Sequence, residues 1–260
     1  MADKTNIRAQ RARSRIWRAL PLLGVLLVVA GCGSGKTSPT GARATPTPTV
    51  RAAIVYVALG ASDALGVGAG NPNTEGYIPL LIARLPARSQ ALNLGVSGIE
   101  LHDALARELP QALATQPTLV TVWLSGNDFR DCVPLAQYGA DLDRLLTQLH
   151  DQTHAQVFVA NLPDMSQLPY FKQGAPNGGA CVEGASADAV RTLVGQWNSV
   201  INAAVAKHGD VLVDLFRSTL AGHPNLVASD GFHPSSQGYA ILADLFWQQI
   251  SAHQAAPAGP

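Results

Sequence analysis

Four short stretches of this chain hold the residue types that acyl transfer needs. Ser62 lies in the glycine-bounded turn LGASDALG, directly after an apolar, β-rich run. A serine there is presented at a sheet rim and becomes a nucleophile when a base reaches it. Asp230-Gly231-Phe232-His233-Pro234 puts a carboxylate three residues before an imidazole. That spacing lets the carboxylate hold the ring, set its tautomer and stabilise its cation. Asn127, within Ser125-Gly126-Asn127-Asp128, can turn its side-chain N–H toward a developing oxyanion. Gly98, within NLGVSG, allows a backbone N–H to approach a substrate closely. Taken singly, each stretch is equally what a turn serine, a capping amide or a surface histidine looks like.

In this order the four stretches resemble the SGNH (GDSL-type) esterases and lipases. Gly60-Ala61-Ser62 with Gly66 matches the GDS-x-x-x-G block, Gly98 the glycine block, Gly126-Asn127-Asp128 the GND block, and Asp230 to His233 the D-x-x-H block. The resemblance covers residues 52 to 250. It implies a flavodoxin-like, three-layer α/β/α sandwich with a five-stranded parallel sheet, and a serine hydrolase without metal or cofactor. It further implies a triad of Ser62, His233 and Asp230. The N–H groups of Ser62 and Gly98 and the side chain of Asn127 would form the oxyanion hole. One position departs from the pattern. Where the family commonly has Asp before the nucleophile, this chain has Ala61, and an acid follows at Asp63.

These side chains need elements to position them. Strands are expected at Ala52–Leu59, Ala91–Leu94, Leu119–Leu124, Ala155–Leu162 and Val211–Leu215. Helical patterns cover Glu75–Leu85, Glu100–Ala114 (bent or split at Pro110), Leu135–Asp151, Ala185–Lys207 and Gln237–Ser251. Apolar strands alternating with helices read as a parallel sheet covered on both faces. Ligands of such sheets bind beyond the C-terminal strand ends, which is where three of the four stretches fall; Asp230–His233 comes just before the last helix. Asn161–Asp164 shares that rim and reads as a turn-former. Trp123 and Trp197 read as core. His150-Asp151-Gln152-Thr153-His154 comes close to a zinc-binding helix pattern, but no further ligand cluster accompanies it, and histidines suit a helix C-terminus. Gly66 to Gly70 fails the dinucleotide spacing at Asn71.

The N-terminus poses a separate question. AGCGSGKT, residues 30–37, is close to the spelling of a phosphate-binding loop. Such a loop requires a helix behind it, and SPTGARATPTPTV, with three prolines, is an extended linker. The other reading fits the flanks. Lys4, Arg8, Arg11, Arg13, Arg15 and Arg18 precede a 13-residue apolar run, Ala19–Gly31, shorter than the ~20 residues of a membrane-spanning helix. This is a secretory signal, and Ala30-Gly31-Cys32 resembles a bacterial lipobox whose cysteine is lipidated. The chain is thus expected to divide into a signal peptide (1–31), a Pro/Thr-rich tether (32–50), a hydrolase domain (51–252) and a disordered tail (253–260). Beyond residue 31, 12 Lys and Arg stand against 17 Asp and Glu, a net charge of −5. That leaves no electrostatic footprint for nucleic acid, and nucleotide binding is not expected. The remaining cysteines, Cys132 and Cys181, are an even pair in an oxidising compartment and are expected to form a disulfide. Cys132 follows the Asn127 loop and Cys181 lies in the Gly/Pro-rich insert PYFKQGAPNGGACVEG (169–184), so the bridge would pin a specificity loop over the same rim.

The expected function is therefore an exported ester hydrolase, held by lipid at Cys32 to the outer face of a bacterial membrane. Its substrate is a lipid, a short acyl ester or an acylated sugar. An acyltransferase acting on envelope glycans and a non-catalytic envelope-binding lipoprotein are the alternatives.

Overall fold

The computed structural model describes residues 53–254. The expected signal peptide, Cys32 with its expected lipidation, and the whole of the expected tether lie outside them. Five strands build the sheet: β1 (Val55–Gly60), β2 (Gln90–Asn93), β3 (Leu119–Trp123), β4 (Gln156–Ala160) and β5 (Val211–Val213). Their order is β2-β1-β3-β4-β5, with every pairing parallel. β1 and β3 are completely apolar or small on both faces and are buried along almost their whole length, as a doubly covered sheet requires. The expected three-layer sandwich is the observed one.

Among the described residues nine α-helices connect or follow the strands: α1 (Pro72–Glu75), α2 (Tyr77–Ile82), α3 (Leu101–Arg107), α4 (Leu109–Ala114), α5 (Gly126–Asp131), α6 (Leu135–Gln152), α7 (Pro169–Lys172), α8 (Ala187–His208) and α9 (Ser236–Gln254). One face of the sheet is covered by α3, α4, α6 and α8, the other by α2 and α9. In α6 the buried Tyr138, Leu142, Leu145, Leu146 and Leu149 recur at helical spacing. In α8, Val190, Val194, Trp197, Ile201 and Val205 do the same. These two stripes meet at Trp197, whose ring packs 4.6 Å from Tyr138 and 5.7 Å from Phe129, centroid to centroid.

Several boundaries differ from the sequence reading. The expected helix at Glu75–Leu85 is two short helices, because Gly76 is extended (φ −67°, ψ 157°) and interrupts them. Glu100–Ala114 is split at Glu108, two residues before Pro110, whose ring would clash with the Ala106 carbonyl in a continuous helix. The last helix runs to Gln254, two residues into the expected tail. The short α5 and α7 carry no apolar period and were not visible as helices.

Truncating Trp197 to Ala removes the ring that joins α6, α8 and α5. Urea unfolding should show a loss of about 3–5 kcal/mol, with the m-value unchanged.

Candidate active site

The parallel sheet sends one chain direction to each side of β1, so β1 and β3 flank a crevice at their C-terminal ends. Ser62 leaves the end of β1, and Asn127 lies in the first turn of α5, four residues beyond the end of β3. His233 arrives from the far end of the chain, in the loop that leads into α9. Ser62 Oγ lies 2.8 Å from His233 Nε2, and His233 Nδ1 lies 2.5 Å from Asp230 Oδ2. With the ring proton assigned to Nδ1, facing the carboxylate, Nε2 accepts from the serine hydroxyl. Asp230 is itself anchored locally. Its Oδ1 accepts from the backbone N–H groups of Phe232 (2.9 Å) and His233 (3.0 Å). Partial burial opposes the charge on this carboxyl, but those amides and the His233 ring outweigh it and hold the group below the ordinary carboxylate range.

Asn127 is buried, and its Nδ2 donates to Ile99 O at 2.9 Å. That bond fixes the amide plane and leaves its second N–H. The backbone N–H groups of Ser62 and Gly98 donate to no protein acceptor among the described residues. Gly98 holds φ +75°, with open space where a Cβ would stand. Asp128, its neighbour in the third block, turns inward. Both its oxygens accept from Leu101 N, the first amide of α3, and burial pushes its carboxyl up to about 7.

The nucleophile turn is held by contacts from several elements. Asn93 Nδ2 donates to Ala64 O at 2.6 Å, and its Oδ1 accepts from Gly95 N. Tyr239 of α9 donates to Val67 O at 2.6 Å, and Ser236 bridges Gly70 N and Glu75. Ala61, where the family pattern has Asp, is buried in the apolar core. Asp63 faces an apolar recess behind the site, among Trp123, Leu162, Met165, Leu220 and Phe232. Burial raises its carboxyl, against the pull of the His233 ring.

On the outer side, an open groove at Asp230 and His233 is lined by Arg130, Tyr170, Pro176, Asn177 and Phe232. Phe232 lines both the groove and the recess. Tyr170 and Phe232 meet edge to face at 5.5 Å, and the Arg130 guanidinium lies over Phe232 while pairing with Asp131. The wall carrying Pro176 and Asn177 is tied down at its base. Cys132 and Cys181 form a disulfide, and Gly179 N donates to Arg130 O.

Other singled-out residues take structural positions. Asn161 accepts from Leu215 N and donates to Asp214, joining β4 to the chain after β5. Asp164 pairs with Arg191. His150 is bonded to Asp210 and stacked on His208 at the end of α6. Glu108 and Asn93 were not flagged by sequence, and no local pattern marks them, since each acts on a segment distant in the chain. The groove is lined by Asp230, His233 and the insert of residues 169–184, which sequence did single out.

A hydrogen-bonded serine, histidine and aspartate on the C-terminal rim of a three-layer parallel sandwich is the arrangement of the α/β ester hydrolases. The model of the GDSL-like lipase/acylhydrolase family matches residues 58–241, and the chain belongs to that family. An uncharacterized protein of Bacillus subtilis, YpmR, is 22% identical over 250 residues, covering 88% of this chain and 94% of its own. Among solved structures, TesA superposes with a TM-score of 0.62 at 23% identity, over 76% of this chain and 98% of its own. The lipase/acylhydrolase of Enterococcus faecalis gives 0.60 at 19% identity, over 80% and 100%.

Two neighbouring glycines separate close packing from backbone conformation. A Cβ on Gly95 would stand 2.7 Å from Ala64 Cβ and 3.0 Å from Ala61 O, so Gly95→Ala pushes on the nucleophile turn. Its kcat should drop about 100-fold, the scale of a 1 Å misplacement. Gly98→Ala meets no protein atom and should cost about 1 kcal/mol of stability for its left-handed φ, read by urea unfolding.

Proposed function

We propose that this chain hydrolyses carboxylic esters with Ser62 as nucleophile, His233 as general base and then acid, and Asp230 as the group that orients the ring. The single observation that carries the reading is the continuous line from Ser62 Oγ through His233 to Asp230 Oδ2. In the first half-reaction Ser62 Oγ bonds to the ester carbonyl carbon while its proton passes to His233 Nε2. The resulting imidazolium, stabilised by Asp230, returns that proton to the leaving alkoxide as the C–O bond breaks. Water, deprotonated by the same nitrogen, then releases the acid and restores Ser62. Asp230 stays charged, because its own carboxyl is held below the ordinary carboxylate range.

The oxyanion is met by the free N–H groups of Ser62 and Gly98 and the second N–H of Asn127. Preorganisation supports this role: Ile99 O already sets the Asn127 amide, so little reorganisation is needed as charge develops. The groove beside His233 is the natural seat of the leaving alcohol, since the proton donor opens onto it. We further propose export and attachment by lipid at Cys32, on the basic, apolar and small-residue succession of residues 1–32. Two acyl chains suffice for stable anchoring.

The fragment from Gly33 onward should turn over p-nitrophenyl esters, and Ser62→Ala should reduce turnover to the blank. A variant that retains wild-type kcat would remove Ser62 from the mechanism. Asn127→Ala should lose about 2.7–4 kcal/mol of transition-state stabilisation, read as kcat/KM with Ser62→Ala as the floor. For the anchor, the full-length chain expressed in a bacterium should partition into membranes with a diacylglyceryl mass on Cys32. Cys32→Ser should appear in the soluble fraction, and a wild-type chain lacking the added mass would refute lipidation.

A further inference from the structure

The buried carboxyl closest in bonding to the nucleophile strand belongs to none of the four sequence blocks. Glu108 sits at the joint between α3 and α4 and is 1% exposed. Its Oε2 accepts from the Gly60 N–H at 3.1 Å. Gly60 is the last residue of β1, two positions before Ser62. Regular pairing between β1 and β2 ends at Ala58 and Asn93, and beyond it Gly60 O still accepts from Val96 N. The Gly60 N–H is met by a side chain instead of a strand carbonyl. There is no slack around it: a Cβ on Gly60 would stand 2.8 Å from Ala64 Cβ in the nucleophile turn and 3.5 Å from the Tyr77 hydroxyl. A shift at Gly60 therefore passes directly into the turn that carries Ser62.

We propose that Glu108 is a positioning residue for the nucleophile, pinning the end of β1 so that the Ser62 hydroxyl and N–H keep their places opposite His233 and Gly98. It touches no reacting atom. The position next to Ser62 where the family pattern has an acid is apolar Ala61, and this chain supplies a carboxyl to the same turn from a different element. Burial pushes that carboxyl up to about 8, against the Gly60 bond and the Arg107 guanidinium, so it is neutral at physiological pH. Arg107 comes from the same joint, and the Tyr77 phenol acts from α2, itself kept protonated by burial. Once Glu108 ionises, a desolvated charge sits under the turn; it seeks water and opposes the oxyanion forming at Ser62.

The catalytic part of the test rests on the ester-hydrolase reading, whereas a spectroscopic part does not. E108Q keeps an acceptor oxygen for Gly60 and loses the titrating proton, and E108L loses both. With a p-nitrophenyl ester, E108L should lose about tenfold or more in kcat with KM little changed, as a displaced nucleophile requires. E108Q should match wild type at neutral pH and keep its kcat where wild type declines, above pH of about 8. In ¹H–¹⁵N spectra the wild-type Gly60 amide should titrate with a midpoint of about 8, and in E108Q it should be flat. A Gly60 amide that does not titrate in wild type overturns the proposal, as does a folded E108L enzyme with wild-type kcat. If E108L fails to fold, the E108Q profile and the Gly60 shift decide alone. If Ser62→Ala stays active, the catalytic reading falls, and the Gly60 titration still shows whether Glu108 holds β1.

Discussion

The 2.8 Å contact between Ser62 Oγ and His233 Nε2 joins residues 171 positions apart, and much of the fold exists to make that distance reproducible. Ser62 is delivered by β1, the second strand of the sheet, while His233 hangs from the loop before α9. Only the packing of α9 against α2 and the underside of the sheet brings the two together. Polar ties line that seam: Tyr239 to Val67, Ser236 to Gly70 and Glu75, and Arg84 to Asp244. The aromatic stack of Tyr77 with Tyr239 and Phe246 fills it. Slippage of α9 would move the imidazole before it disturbed any strand.

A second constraint follows from ending apolar parallel strands at a wet rim. The last amides and carbonyls of each strand lose their ladder partners there and need others. Side chains supply them or cap the helices beyond: buried Glu108 to Gly60, buried Asn161 to Leu215 and buried Asp128 to Leu101 at the start of α3, with the exposed Asn93 bonded to Ala64 and Gly95. The buried groups cost free energy to desolvate and recover it through backbone hydrogen bonds. The same bonds fix the loops that carry Ser62, Gly98 and Asn127, so satisfying buried backbone groups and holding the rim are here one device. The disulfide plays the corresponding part for the outer wall, fastening the chain that carries Pro176 and Asn177 to the end of α5.

Local chemistry is what sequence reading handles well, and its successes and failures divide along that line. The strands were legible because β1, β3 and β4 are short apolar runs, and α6 and α8 because their stripes repeat at helical spacing. The Asp230–His233 relation was legible because it spans one turn of loop. The break at Gly76 was not, since the preference of a glycine for an extended conformation there depends on the caps from Asn71 and Pro72. The helix α5 was also hidden: its single buried apolar side chain, Phe129, finds its partners in Phe171 and Trp197, 42 and 68 residues away.

By itself, then, the order of apolar runs, turns and short polar blocks determined a parallel α/β sandwich with a serine, an asparagine and an Asp–His pair at its strand ends. Those features are encoded by residues within a few positions of one another, where spacing and propensity suffice. Tertiary structure alone decided that Asn127 is aimed by Ile99, that Asp63 turns into an apolar recess, and that Glu108 meets Gly60. It also decided that the insert and Phe232 wall a groove at His233. Each of these joins segments distant in the chain, and no local pattern encodes which buried polar group will meet which strand end once the layers close.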